Sequence, residues 1–266
     1  MRRALLELLL IGAVGGVVGC WIVLYRLAYS TESLAHALFP GLVVAALAGL
    51  PLLVGGAVGL LVATVAVAVV GRAGLIGRDA SVAVVVTTLF GLGVLLALSR
   101  STPPGLDRLL FGDLLGVTVR DLTTSGALTA CALVGVFALH RSLLVAGFDR
   151  GSAAAFGVRP LLVDVALLAL VATAILIGVQ ALGNLLVVAL FLGPPASARL
   201  LTRRLPSMMI VAVVVAAVSS IVGLYVSYYA DLAAGASVVI AVLVAYLLAA
   251  VAGAIPRGKT SNFPRN

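Results

Sequence analysis

The feature that most limits what this chain can become is a series of apolar stretches, each about as long as a helix that crosses ~30 Å of hydrocarbon, recurring from one end to the other. In lipid every backbone N–H and C=O must find its partner within the protein. Runs of this length therefore read as helices rather than as the short alternating strands of a barrel. With 266 residues, 63% hydrophobic and 10% charged, there is too little polar surface for a water-soluble globule. The fold class expected is all-α and polytopic in a membrane. Spans are expected near 5–25, 31–49, 51–71, 80–99, 119–140, 161–181, 183–200, 208–228 and 235–254, with counts of eight or ten still open. These form one transmembrane domain over 1–255, followed by a polar tail at 256–266. The run after Arg2-Arg3 continues to Leu24 without a small-residue cleavage pattern, so it is read as a retained span rather than a signal peptide.

Charge sets the orientation. With the N-terminus outside, twelve of the 17 Lys and Arg fall on inner connections and five on outer ones, which favours a cytoplasmic C-terminus. The net +8 is spread between spans instead of gathered on one face, so positive-inside topology explains it and nucleic acid is not an expected partner. Cys20 and Cys131 lie in different apolar segments without metal-ligand spacing and read as small hydrophobes. Gly12, Gly15, Gly16 and Gly19 in the first span, and Gly55, Gly56 and Gly59 in the third, read as faces for close helix packing.

Chemistry concentrates in Tyr29-Ser-Thr-Glu-Ser-Leu-Ala-His-Ala-Leu-Phe-Pro-Gly41. Glu32 and His36 are four residues apart, so a helix points both the same way. A carboxylate and an imidazole are costly inside a membrane, and both ligate divalent metals. The competing reading is a solvated N-cap carboxylate beside a hydrogen-bonded core histidine. Pro194-Pro195 is expected to kink or interrupt its span and to expose carbonyls. Phe148-Asp149 with Ser152-Ala-Ala-Ala-Phe156 is expected to make one or two helical turns ended by Gly157, either a plain linker or a knob for a partner's groove. Residues 100–118 read as a short interfacial or re-entrant element. Gly253-Ala-Ile-Pro-Arg-Gly-Lys-Thr260 matches a phosphate-loop pattern but lacks the preceding strand and following helix, so no ATP binding and no enzymatic activity are expected of this chain.

Taken together, six segments resemble, in order, the permease subunits of zinc/manganese/iron ABC importers. They are Thr31-Glu-Ser-Leu-Ala-His-Ala-Leu-Phe-Pro-Gly41; Asp79 opening a Gly-rich span to Gly93; Leu110-Phe-Gly-Asp-Leu-Leu-Gly116; Phe148-Asp149 with Ala153 and Gly157; Gly183 to Arg199; and Gly223-Leu-Tyr-Val-Ser-Tyr-Tyr229. The resemblance implies a permease homodimer, two cytoplasmic ABC ATPase subunits, an extracytoplasmic metal-binding protein, and residence in a bacterial plasma membrane. It implies that Glu32 and His36 line the pathway of a divalent ion, zinc or manganese before iron, with no permanently bound cofactor. Phe148, Asp149, Ala153 and Gly157, within a segment at about 147–158, would couple to the ATPase. Asp79, Asn184, Pro194 and Asp231 are further candidates for pathway or gating. Glu32 stands where the family has Asp, which opens the question of ion preference. The rival readings are a permease for a metal chelate such as a siderophore or cobalamin, an ATP-independent channel or secondary transporter, and a scaffold without transport.

Overall fold

A computed structural model describes residues 1–72, 78–98, 112–149, 151, 153–184 and 186–254. Among these the chain is helical: α1 (Arg2–Leu24), α2 (Ala28–Leu47), α3 (Leu52–Arg72), α4 (Arg78–Ala97), α5 (Val119–Phe148), α6 (Pro160–Leu182), α7 (Val187–Leu201), α8 (Leu205–Ala230) and α9 (Ala234–Ala254). Two 3₁₀ turns, Leu114–Gly116 and Ala153–Phe156, lie between them. By length and composition α1, α2, α5, α6, α8 and α9 suffice to cross a membrane; α3, α4 and α7 carry the shorter apolar helices Val54–Val67, Val82–Ala97 and Val187–Leu201. The chain is a polytopic α-helical membrane protein, as its apolar runs predict.

Local chemistry marks the ends. Thr118 and Asp121 form a reciprocal capping box at the start of α5, the Thr118 hydroxyl accepting the Asp121 N–H and the Asp121 carboxylate accepting the Thr118 N–H at 2.9 Å. Proline opens α6, where its missing N–H costs nothing. After α1, Arg26 takes a left-handed φ of 58° and the Leu27 N–H reaches back to the Ile22 carbonyl, which turns the chain at once into α2.

The bundle is assembled around α1, the most buried helix. It runs parallel to α5: Leu10 sits by Gly126, the Trp21 ring meets His140 edge-on at 5.5 Å, and the Tyr25 hydroxyl donates to the Leu143 carbonyl at 2.7 Å. It runs antiparallel to α8, where a β-carbon on Gly12 would lie 3.1 Å from that of Ala216 and one on Gly16 would strike Val213. A second group, α2, α3 and α4, crosses as closely. Gly41 lies against the Gly55 carbonyl and Gly59, while Gly93 of α4 lies against Phe39 and Pro40. Both glycine-rich stripes are packing faces.

Of the kink or interruption expected at Pro194-Pro195, the interruption is absent: α7 runs through both prolines. They deprive the carbonyls of Leu190 and Phe191 of helical donors. Those carbonyls face α1 where it has no side chains: the Leu190 oxygen is 3.4 Å from the β-carbon position of Gly15, and the Phe191 oxygen lies against Gly19. Glycine lets the backbones approach until Cα–H groups cover the freed oxygens. The break falls earlier, at 183–186, with Gly183 at a φ of 76°. At 15 residues α7 is only about 22 Å long, so its N-terminal break sits within the depth of the bundle. A second difference concerns α5, which continues unbroken to Phe148, so that the following turn comprises only Ala153–Phe156. Gly157, at a φ of 71°, closes it as expected, with the Val158 N–H returning to the Ala153 carbonyl.

Candidate functional site

Helix α2 places Glu32 and His36 on one face. The His36 Nε2 is 3.9 Å from a Glu32 carboxylate oxygen; the Glu32 side chain is 59% exposed and that of His36 26%. Protein holds the ring from behind. Phe90 of α4 packs against it at a centroid distance of 4.5 Å and is itself packed on Phe39 at 5.2 Å. On the remaining edge, the Asn184 amide nitrogen lies 3.5 Å from Nδ1. Asn184 is wholly buried in the break between α6 and α7. One ring nitrogen therefore faces protein, and the other faces Glu32 and open space.

An imidazole nitrogen and a carboxylate oxygen make a mixed pair suited to a divalent transition metal. Bonds of ~2.1 Å at a tetrahedral angle place two donors ~3.4 Å apart. The observed 3.9 Å needs only a closing movement of about half an ångström, which the exposed Glu32 side chain can make. Pro40, one turn further on, cannot donate to the His36 carbonyl, so the backbone oxygen at this level lacks its usual helical partner. Two side chains do not complete a coordination shell. Among the described residues no group of three or more His, Cys, Asp or Glu converges.

The other candidates fall in different places. Asn184 joins His36, as above. Pro194 is buried in α7, the segment that packs on α1, and Asp231 is an exposed residue that closes α8 in the left-handed conformation Asp tolerates. Asp79 lies in the first turn of α4 with its side chain outside the described residues, as are most of 100–118 and the tail 256–266. Phe148 ends α5 and is 89% exposed; the Asp149 carboxylate accepts the Gly151 N–H at 2.9 Å; Ala153 is buried at the base of the turn, and Phe156 is 70% exposed. The two phenylalanines project from the end of the bundle that also carries Arg26, Arg159, Arg203 and Arg204.

Two residues escaped the sequence reading. Phe90, the ring that backs His36, has no sequence signal beyond being an aromatic in a glycine-rich span. Glu7, buried in α1 and hydrogen-bonded by Ser125 of α5, had one: it is a lone carboxyl inside an apolar run.

Comparison with known proteins bears on the whole chain. Residues 1–253 match the ABC 3 transport family. The manganese transport system membrane protein MntC of Halalkalibacterium halodurans is 31% identical over 215 residues, covering 80% of this chain and 74% of that protein. A probable iron transport system membrane protein of Haemophilus influenzae is 29% identical over 213 residues, covering 80% and 79%. Among solved structures, PsaBC from Streptococcus pneumoniae in complex with Fab superposes with a TM-score of 0.88 at 27% identity, over 93% of this chain and 90% of that one.

Proposed function

The chain belongs to the ABC 3 transport family, and on that premise we propose that it is the membrane subunit of an ATP-driven importer for a divalent metal ion, manganese being the first ion to test, with zinc and iron(II) beside it. The single observation that carries the pathway assignment is the Glu32–His36 pair, 3.9 Å apart on an open face of a membrane helix. Two copies, related by a twofold axis, would bring two such pairs together and supply four ligands where one copy supplies two. A carboxylate and a neutral imidazole accept manganese, iron(II) or zinc; the relatives named for manganese and iron support the first two. The sparse ligand set suits transit, since an ion held by few ligands is also released.

ATP would be hydrolysed by two separate cytoplasmic subunits. The exposed Phe148, ending α5, and Phe156, ending the Ala153–Phe156 turn, offer a small apolar projection suited to a groove on such a subunit, with Asp149 and Gly157 setting its geometry. Closure of the ATPase pair would push on this projection and tilt the helices as rigid bodies, exposing the ion site to one side and then the other. A metal-binding protein would deliver the ion on the opposite face. The basic end of the bundle and the C-terminus would lie in the cytoplasm of a bacterial cell, with 1–255 as one permease unit and 256–266 as a tail. Asp79, Pro194 and Asp231 remain secondary candidates for the pathway or its gates.

The test is radiometal uptake by cells carrying the whole transporter. Glu32→Ala and His36→Ala are expected to lower uptake of one ion about 100-fold or more while the protein still inserts. An ATPase partner unable to hydrolyse ATP is expected to stop it. Normal uptake by both permease variants would make the pair structural, and uptake that survives loss of the ATPase would favour a channel or secondary transporter.

A further inference from the structure

The end of the bundle that carries Arg26, Arg159, Arg203 and Arg204 also holds a cleft with no part in ion transit. It opens between the last turns of α1 and α5 and the start of α8, with a volume of about 380 Å³, within the range of small-ligand pockets. Its walls are largely apolar, with Leu144 from α5 and Leu205 and Met208 from α8. Two cations stand in this lining: Arg199 in the last turn of α7, and Arg203 in the connection to α8, both exposed. Among the described residues no carboxylate lines the cleft, and neither guanidinium forms an ion pair. The helix dipole accounts for a cation at the end of α7, but not for Arg203 beyond it. The inner wall includes Trp21, only 1% exposed, whose indole N–H is buried and has no acceptor among the described residues. An unpaired donor in an apolar wall costs free energy until an acceptor reaches it.

A ligand for this cleft needs negative charge for two guanidiniums, oxygen acceptors for a buried N–H, and an apolar body. It must also be at hand where a membrane bundle meets water. An anionic phospholipid meets all four conditions. Its phosphodiester accepts forked hydrogen bonds from arginine, its ester oxygens can accept from an indole, and its acyl chains suit a wall of leucine and methionine. Basic pockets between membrane helices are known to take such headgroups. A zwitterionic lipid carries its own ammonium beside the phosphate, so it gains less from two cations. The groove along α2 and α3 and the one between α8 and α9 differ in kind: no charged residue lines either, and neither offers a headgroup a partner.

We propose that this cleft binds one anionic phospholipid, its phosphate held by Arg199 and Arg203 and an acyl chain laid along Leu144, Leu205 and Met208. The exposed Phe148 lines the same cleft, so the bound lipid ties the connection between α7 and α8 to the end of α5. The assignment needs only that this end of the bundle meets the bilayer surface. It is independent of Glu32 and His36.

Trp21 is the one tryptophan of the chain, so its fluorescence reports on the cleft without a label. The full-length permease is reconstituted in phosphatidylcholine vesicles that contain a small fraction of brominated phosphatidylglycerol or, in parallel, of brominated phosphatidylcholine. Bromine quenches an indole only at close range. Brominated phosphatidylglycerol is expected to occupy the quenching site with a preference of about fivefold or more, the scale set by the attraction of a surface arginine for anionic lipid. Arg199→Gln combined with Arg203→Gln should erase this preference. Arg141→Gln, an exposed position outside the cleft, should leave it as in wild type. Equal quenching by the two lipids, or a preference that survives the double variant, overturns the proposal. So does displacement of the brominated lipid by excess inorganic phosphate, which would make the cleft a site for the free anion. Loss of the preference on adding ATPase subunits whose tryptophans are replaced by phenylalanine would assign the cleft to that partner, and overturns it equally.

Discussion

Helices α2 and α7 both carry proline in their interior, and the bundle treats them in opposite ways. In α7 both prolines are buried, and the carbonyls they strip of donors, at Leu190 and Phe191, lie against Gly15 and Gly19 of α1. In α2 the glycines at the same level serve other contacts. The closest approaches at Gly41 and Gly93 are to Gly55, Gly59, Phe39 and Pro40. The α7 defect is sealed by close backbone packing. The α2 defect sits one turn from a carboxylate and an imidazole on a face left open. A broken backbone bond in a membrane helix is thus not by itself a sign of a pathway.

That contrast can be broken most forcefully at Gly19. A side chain there would collide with the Phe191 carbonyl and the Pro195 ring, both parts of a rigid wall. Gly19→Leu is expected to abolish correctly folded protein, since even modest overpacking of a closed core costs about 1–3 kcal/mol and here backbone must move. Size-exclusion chromatography of a fluorescent fusion in detergent reads this directly; a monodisperse peak of normal height would mean that α1 and α7 are not sealed together. A smaller effect is expected at the open proline. Pro40→Ala returns a donor to the His36 carbonyl, and a typical intramolecular hydrogen bond adds about 1 kcal/mol. The thermal midpoint should rise by a few degrees while uptake falls several-fold, because the ion loses an available oxygen. Unchanged uptake would confine the pathway chemistry to side chains. The smallest effect belongs to Gly91, in α4, where a β-carbon meets nothing within 4 Å. Gly91→Ala should leave transport intact and change stability by at most about 0.5 kcal/mol, the range for substitutions that touch no packed feature. A large loss would point to a partner covering that face.

The fold was largely legible because length and hydropathy act one segment at a time. Each apolar run had to become a helix, whatever its neighbours did. The expected spans agree with the observed helices to within a few residues, apart from α5, which continues eight residues beyond 140 because neither Arg141 nor Gly147 stops the helix and no proline interrupts it. The closing role of Gly157 was legible for the same local reason: a left-handed residue after a short turn is a property of the chain itself.

The Glu32–His36 pair was also within reach, since a four-residue spacing on a helix fixes a shared face without reference to anything distant. What surrounds the pair was not. The contact between Asn184 and His36 joins residues 148 positions apart, and Phe90 reaches the ring from a third helix. The sequence by itself determined that this chain is a helical membrane bundle with an acid and a histidine on one face. Only the tertiary structure decided that Pro194-Pro195 would be sealed against α1 and that a buried amide would stand behind the histidine. Hydrophobic length and helical periodicity are local quantities, whereas covering a carbonyl or backing a histidine depends on which part of the chain arrives from elsewhere.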